Sequence, residues 1–348
     1  MPSRHFRDRR AASLENSELR LTVLEEGGHI AEITDKRTGV SPLWTPPWPS
    51  IEPSTYEPSL HPEYGSGAES RLLSGIMGHN LCLDIFGGPS LEEEAAGLTV
   101  HGEASIARYD LQTTGHHLTM RAELPIAQLL IERQIDLRGQ AVRFRETVEN
   151  PGGADRPIGW TQHVTLGPPF LEKSATQFRA SATRSQVLDA VFGAGDYLRP
   201  GTEFTWPHAP RADGRTTDLR TFTNEAVSSA YTTHLMDPAQ SHAYFVAFSP
   251  ALRLSFGYVW KRADFPWLGI WEENYSRAGA PWLGKTLTRG MEFGVSPIPE
   301  TRRQMIDRGR LFGVPTYRWI PARTRVEVEY WATCRQADAI PDALEFPT

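Results

Sequence analysis

Apolar and polar residues alternate along several stretches of the chain. Leu19, Leu21 and Val23 alternate with Arg20 and Thr22, and Leu118, Met120, Ala122 and Leu124 with Thr119, Arg121 and Glu123. Val142, Phe144 and Val148 alternate with Arg143, Arg145, Thr147 and Glu149, and Val326, Val328 and Tyr330 with Glu327 and Glu329. A period of two over such lengths predicts strands with one wet face. Turn-forming segments lie between them, including Asn150-Pro151-Gly152-Gly153 and Gly167-Pro168-Pro169. Helical periodicity is scarce; Ser185 to Val191 and Glu300 to Ile306 are the short candidates. Many strands, few helices, and 29 Gly with 27 Pro predict a large antiparallel β-sandwich.

At 348 residues the chain is long for one domain, yet no internal repeat or linker divides it. Residues 1–348 are therefore expected to form a single sandwich domain, with a flexible N-terminus over residues 1–12. The basic run Arg4 to Arg10 falls in that segment and lacks the interleaved aromatics of a nucleic-acid arm. A net charge of -6 leaves no cationic surplus for nucleic acid or an anionic membrane. Only Cys82 and Cys334 are present, and the N-terminus is charged where a signal peptide would be apolar. The expectation is a cytoplasmic protein without a nucleic-acid or membrane partner. Two long loops stand out, 42–70 with Trp44, Trp48, Tyr56 and Tyr64, and 200–219 with Trp206 and His208. Their aromatics either stack on a ligand or pin each loop to the body.

Three histidines carry candidate chemistry. His101 ends a short apolar run and precedes Gly102, which admits a ligand close to the backbone. His163 shares a strand face with Thr161 and Thr165, while Trp160 and Val164 point the other way. His79, in Gly78-His79-Asn80, is the third. No metal is expected, because no pair of ligands has a tight spacing. The segment 260–282 holds Trp260, Trp267, Trp271 and Trp282 together with Lys261, Asp264, Glu272, Glu273 and Asn274. Flat indole faces suit the apolar face of a pyranose. Glu272 and Glu273 are adjacent, so on a strand only one of them faces a given side. No nucleophile elbow, P-loop or dinucleotide fingerprint appears.

Taken in order, the motifs resemble those of the galactose mutarotase-like superfamily, which includes aldose 1-epimerases and hexose-6-phosphate mutarotases. They are Gly27-Gly28-His29-Ile30, Phe86-Gly87 followed by His101-Gly102-Glu103-Ala104-Ser105, Thr147-Val148-Glu149-Asn150 with Trp160 to Leu166, and Leu268 to Pro297. The resemblance implies an all-β antiparallel supersandwich that binds a sugar or sugar derivative in a cleft and needs no cofactor. It implies an isomerase of carbohydrate metabolism, with His163 protonating the ring oxygen and His101 binding the sugar. The remaining candidate substrate-binding residues are His79, Trp160, Trp271, Trp260, Lys261 and Glu272. The aligned position of the base falls on Ser296, a poor base without an activating partner, and the arginine of the His-Gly block is Ser105. The base is therefore sought among Glu272, Glu273 and Glu292, and Glu273 is the choice because it shares a face with Trp271. The alternatives are a non-catalytic sugar-binding protein that has lost its base, or another sugar-modifying enzyme, such as a lyase, on the same scaffold.

Overall fold

The computed structural model of the chain describes residues 4–347. Two large antiparallel sheets, of twelve and eight strands, form the body of the molecule, beside two small two-stranded ones. Each alternating stretch of the sequence lies in a strand, at Leu19–Leu24, His117–Leu124, Ala141–Asn150 and Thr324–Gln336. The inward residues of both sheets form one apolar cluster, in which Leu83, Val164 and Phe293 meet Phe144, Phe245 and Tyr330. Apolar burial of this extent is the main favourable term holding the sheets together.

Five neighbouring strands of the larger sheet position the site. They are β1 (His79–Asp84), β2 (Arg156–Leu166), β3 (Ser228–Met236), β4 (Trp267–Asn274) and β5 (Leu287–Gly294), hydrogen-bonded in the order β1-β2-β5-β4-β3. Their residues are buried on both faces. One face meets the smaller sheet, and the other is covered by loops that include the long 42–70 segment. Trp44, Trp48 and Tyr64 of that segment are buried in a cluster with Trp271 and Trp282. Trp44 stacks on Trp282 at 6.0 Å between centroids, so these aromatics pin the loop to the body.

The sequence-based picture is corrected in two places. The N-terminal run does not fray across the described residues: Arg4–Phe6 and Arg9–Glu15 are paired strands. Arg9 is fully buried, with Nε on Glu52 Oε2 at 2.8 Å, Nη1 on the Gly75 carbonyl and Nη2 on the Glu26 carbonyl, both at 2.9 Å. With Ser50 Oγ also accepting from Nη1 at 3.1 Å, a planar fork with four acceptors fixes the segment in place. Ser185 to Val191 is not helical; Ala182–Val187 is a strand paired to β3. The other candidate is a helix at Arg302–Arg308, started by a capping box between Thr301 and Gln304. Cys82 and Cys334 are buried free thiols. Among the described residues no helix is long and apolar enough to cross a membrane.

Candidate functional site

Alternation along β2 sorts its residues between two environments. Trp160, Gln162 and Val164 face the smaller sheet; Thr161, His163 and Thr165 face the loops. His163 is flanked by Asn80 on β1 and by Glu292 on β5 as its cross-strand neighbours. The second pairing is the chemical one, since His163 Nε2 lies 3.0 Å from Glu292 Oε1 and both side chains are buried. His163 Nδ1 lies 3.0 Å from Thr165 Oγ1. That hydroxyl accepts from an imidazolium or donates to a neutral ring.

Glu292 fits because its neighbours are glycines. A Cβ on Gly290 would stand 2.5 Å from Glu292 Oε1, and one on Gly269, the cross-strand partner of Glu292, 3.3 Å from Oε2. A larger residue at Gly290 would displace the carboxylate.

His101 approaches from the segment that crosses the end of β1. Its φ is +69° and that of Gly102 is +81°, where a Cβ would lie 2.0 Å from the Leu83 carbonyl oxygen. Only glycine can follow His101 in this conformation. His101 Nδ1 donates to the Phe86 carbonyl at 2.6 Å, which leaves Nε2 as the ring's acceptor. Burial, reinforced by repulsion from His163 and Arg277, lowers the His101 pKa to about 3, so the ring is neutral at physiological pH. The His101 and His163 rings are 4.8 Å apart between centroids.

A cavity of about 210 Å³ opens over these groups. Its walls are mainly aromatic and aliphatic, with Phe86, Phe192, Trp271 and Trp282 around His101, His163 and Glu292. Trp271 lies 5.8 Å from the His163 ring. Arg277 and Glu69 add charge to the lining. The arrangement joins an apolar enclosure to an imidazole and a carboxylate placed side by side.

Of the residues singled out in the sequence, the structure brings His101, His163, Trp271, Trp282 and Glu292 together here. It places the remaining candidate site residues elsewhere. Glu273 is not the carboxylate beside His163: it accepts from Ser276 N at 2.6 Å, Ser276 Oγ at 2.8 Å and Arg277 N at 3.1 Å, and so ties the loop after β4. Glu272 points to the opposite face, where Oε2 accepts from Tyr197 Oη at 2.8 Å and Oε1 lies 3.1 Å from Arg289. His79 is a core residue, held by Tyr258 Oη at 3.0 Å and Gln162 Oε1 at 2.9 Å. Trp160 donates from Nε1 to Glu146 inside the sandwich. Trp260 stacks on Phe293 at 4.2 Å and donates to the Phe265 carbonyl. Lys261 is exposed on the smaller sheet. Ser296 is buried with Oγ 3.6 Å from Met305 Sδ, and the carboxylate beside His163 is Glu292, four residues earlier.

Glu292 is the site residue that the motif alignment missed. Alternation marks it: Met291 and Phe293 are core residues, so Glu292 must face the other side, between Gly290 and Gly294. Among the described residues no group of three His, Cys, Asp or Glu side chains is arranged to hold a metal ion.

No family model and no curated protein matches this sequence. Solved structures do match over nearly the whole chain. A candidate aldose 1-epimerase from Klebsiella pneumoniae superposes with a TM-score of 0.68 at 12% identity, over 96% of this chain and 82% of its own. A galactose mutarotase-like protein from Clostridium acetobutylicum gives 0.63 at 11% identity, over 96% and 98%. A galactose mutarotase related enzyme from Lactobacillus acidophilus gives 0.60 at 12% identity, over 95% and 99%. With two stacked antiparallel sheets and matches of this extent, the chain has the galactose mutarotase-like fold.

Proposed function

We propose that the protein is a mutarotase of the aldose 1-epimerase type, acting on a sugar bound in this cavity, with Glu292 as base and His163 as acid. The observation that carries this is the 3.0 Å contact between His163 Nε2 and Glu292 Oε1 at the cavity wall. Mutarotation removes a proton from the anomeric hydroxyl and adds one to the ring oxygen. Both oxygens are bonded to the same carbon, so the base and the acid must be immediate neighbours. Two carboxylates set apart across a cleft, as in a glycosidase, serve a different reaction.

In its acid form His163 is an imidazolium that pairs with the Glu292 carboxylate, and its Nδ1–H is received by Thr165 Oγ1. A sugar entering the cavity replaces that direct contact. Glu292 accepts the anomeric proton while His163 Nε2 donates to the ring oxygen. The bond from C1 to the ring oxygen then breaks, giving the open aldehyde, a protonated Glu292 and a neutral imidazole. Rotation about C1–C2 presents the other face of the carbonyl. The ring hydroxyl closes on it as both protons return, leaving the opposite anomer and the original charges. Neutral His101 offers an acceptor to a sugar hydroxyl, and Trp271 offers a ring face.

The reading of the chain as a sugar-binding protein without catalysis rested on the absence of a base at Ser296; Glu292 removes that reason. Polarimetry on freshly dissolved glucose and galactose separates the two. The enzyme speeds the decay of optical rotation, and His163→Asn abolishes the acceleration. Sugar binding by the wild type without any acceleration would favour the binding protein.

A further inference from the structure

Arg277, which lines the cavity, is held from several sides. The loop that carries it is tied by three hydrogen bonds to Glu273, and Arg277 Nε lies 3.5 Å from Glu273 Oε2. Its guanidinium carbon lies 4.6 Å from the Trp282 ring centroid, 5.4 Å from that of Trp271 and 5.6 Å from that of Phe192. Three rings and a carboxylate thus fix a side chain that otherwise loses much rotamer freedom on binding. Among the described residues its Nη atoms have no hydrogen-bond partner in the protein, and the side chain keeps 27% of its exposure. An anchored fork with free donors is a preorganised ligand contact.

Its position relative to the chemistry is also set. Trp271 touches both groups, with its ring 5.8 Å from the His163 ring and 5.4 Å from the guanidinium. A sugar laid against Trp271 with its anomeric carbon at His163 and Glu292 directs its more distant oxygens toward Arg277. We propose that Arg277 is the specificity-determining residue of the cavity, binding hydroxyl oxygens of the sugar remote from the anomeric centre through its Nη groups. This rests on the reading of the site as a sugar cavity. Hydroxyls are the fitting partners because the charge of Arg277 is offset by Glu273, and Glu69 and Glu292 line the same cavity. A phosphate or carboxylate there meets no net positive charge.

The test compares wild type, Arg277→Leu, Arg277→Lys and Glu292→Gln on glucose, galactose, mannose and glucose 6-phosphate. Anomer exchange is followed by NMR and binding by calorimetry. Arg277→Leu should weaken binding and raise KM for the best free hexose by about tenfold, with kcat within about threefold. Arg277→Lys should recover part of the loss, and Glu292→Gln should lose exchange while still binding. The proposal is overturned if Arg277→Leu binds and turns over like wild type, or if kcat collapses with KM unchanged. It is also overturned if glucose 6-phosphate is the best ligand and suffers most from the substitution. Binding that depends on Arg277 without exchange in the wild type would sink the mutarotase reading and leave Arg277 standing. A wild type that binds none of the four sugars sinks both.

Discussion

Two buried carboxylates flank β2, one on each face, and they differ in how completely they are paired. On the core side Glu146 Oε1 accepts from Arg133 Nε at 2.6 Å and Tyr330 Oη at 2.5 Å, while Oε2 accepts from Trp160 Nε1 at 2.9 Å and Gln162 Nε2 at 2.7 Å. On the cavity side Glu292 is paired, among the described residues, with His163 alone, lies against Gly290 and Gly269, and lines the cavity. Gln162 and His163 are consecutive, so one strand serves both. A buried polar network with every group satisfied specifies the packing of two sheets. A buried carboxylate with one protein partner and a cavity beside it is free to exchange that partner for a substrate. Burial is alike in the two places; incomplete pairing marks the one proposed as the base.

The largest effect expected of a substitution breaks the core side. Glu146→Ala strands the buried Arg133 guanidinium and should cost about 3–5 kcal/mol of stability in chemical denaturation. A loss below about 1 kcal/mol would show that the network relaxes. Acid should act at least as strongly. Burial lowers the pKa of His29, His101 and His234 to about 3, from an ordinary value of 6.5. Between those values the unfolded chain binds protons that the folded one refuses, so stability is complete above pH 6.5 and falls as the pH drops toward 3. Each histidine contributes a slope of up to about 1.4 kcal/mol per pH unit. Melting temperatures that stay level from pH 6.5 to 4.5 would contradict this.

On the cavity side, Glu292→Gln should lower kcat by about 100-fold or more, as expected for a lost general base, with little change in melting temperature. Gly290→Ala crowds Glu292 Oε1 from 2.5 Å, and should lower kcat by about tenfold while the fold persists. Normal turnover would mean that the carboxylate can shift without consequence. Glu273→Gln should have the smallest effect. It loosens the loop carrying Arg277, so KM should rise a few-fold with kcat within about threefold.

The sequence made one half of this comparison legible and hid the other. Alternation located the strands around Leu118, Val142 and Val326 because each has one wet face, whereas β1 to β5 are buried on both faces and lack that contrast. His163 stood out through Thr161 and Thr165, and His101 through Gly102. The carboxylate was misplaced because a short motif was aligned onto Ser296, and Glu273 was then chosen for sharing a face with Trp271. The shared face is correct, but strand direction does not reveal that Ser276 and Arg277 fold back onto Glu273. His79, Trp160 and Trp260 read as ligand groups for a similar reason. Their partners, Gln162, Glu146 and Phe293, are distant in sequence or lie on another strand, and only the folded register brings them together.

The central claim, that Glu292 with His163 forms the reactive pair, is tested most directly by two-dimensional exchange NMR on glucose or galactose at equilibrium. Wild type and Glu273→Gln should both give cross-peaks between the α and β anomeric protons at rates well above buffer, and Glu292→Gln should return the rate to that of buffer while remaining folded. Exchange by Glu292→Gln at the wild-type rate, or a silent Glu273→Gln beside an active Glu292→Gln, would contradict the account.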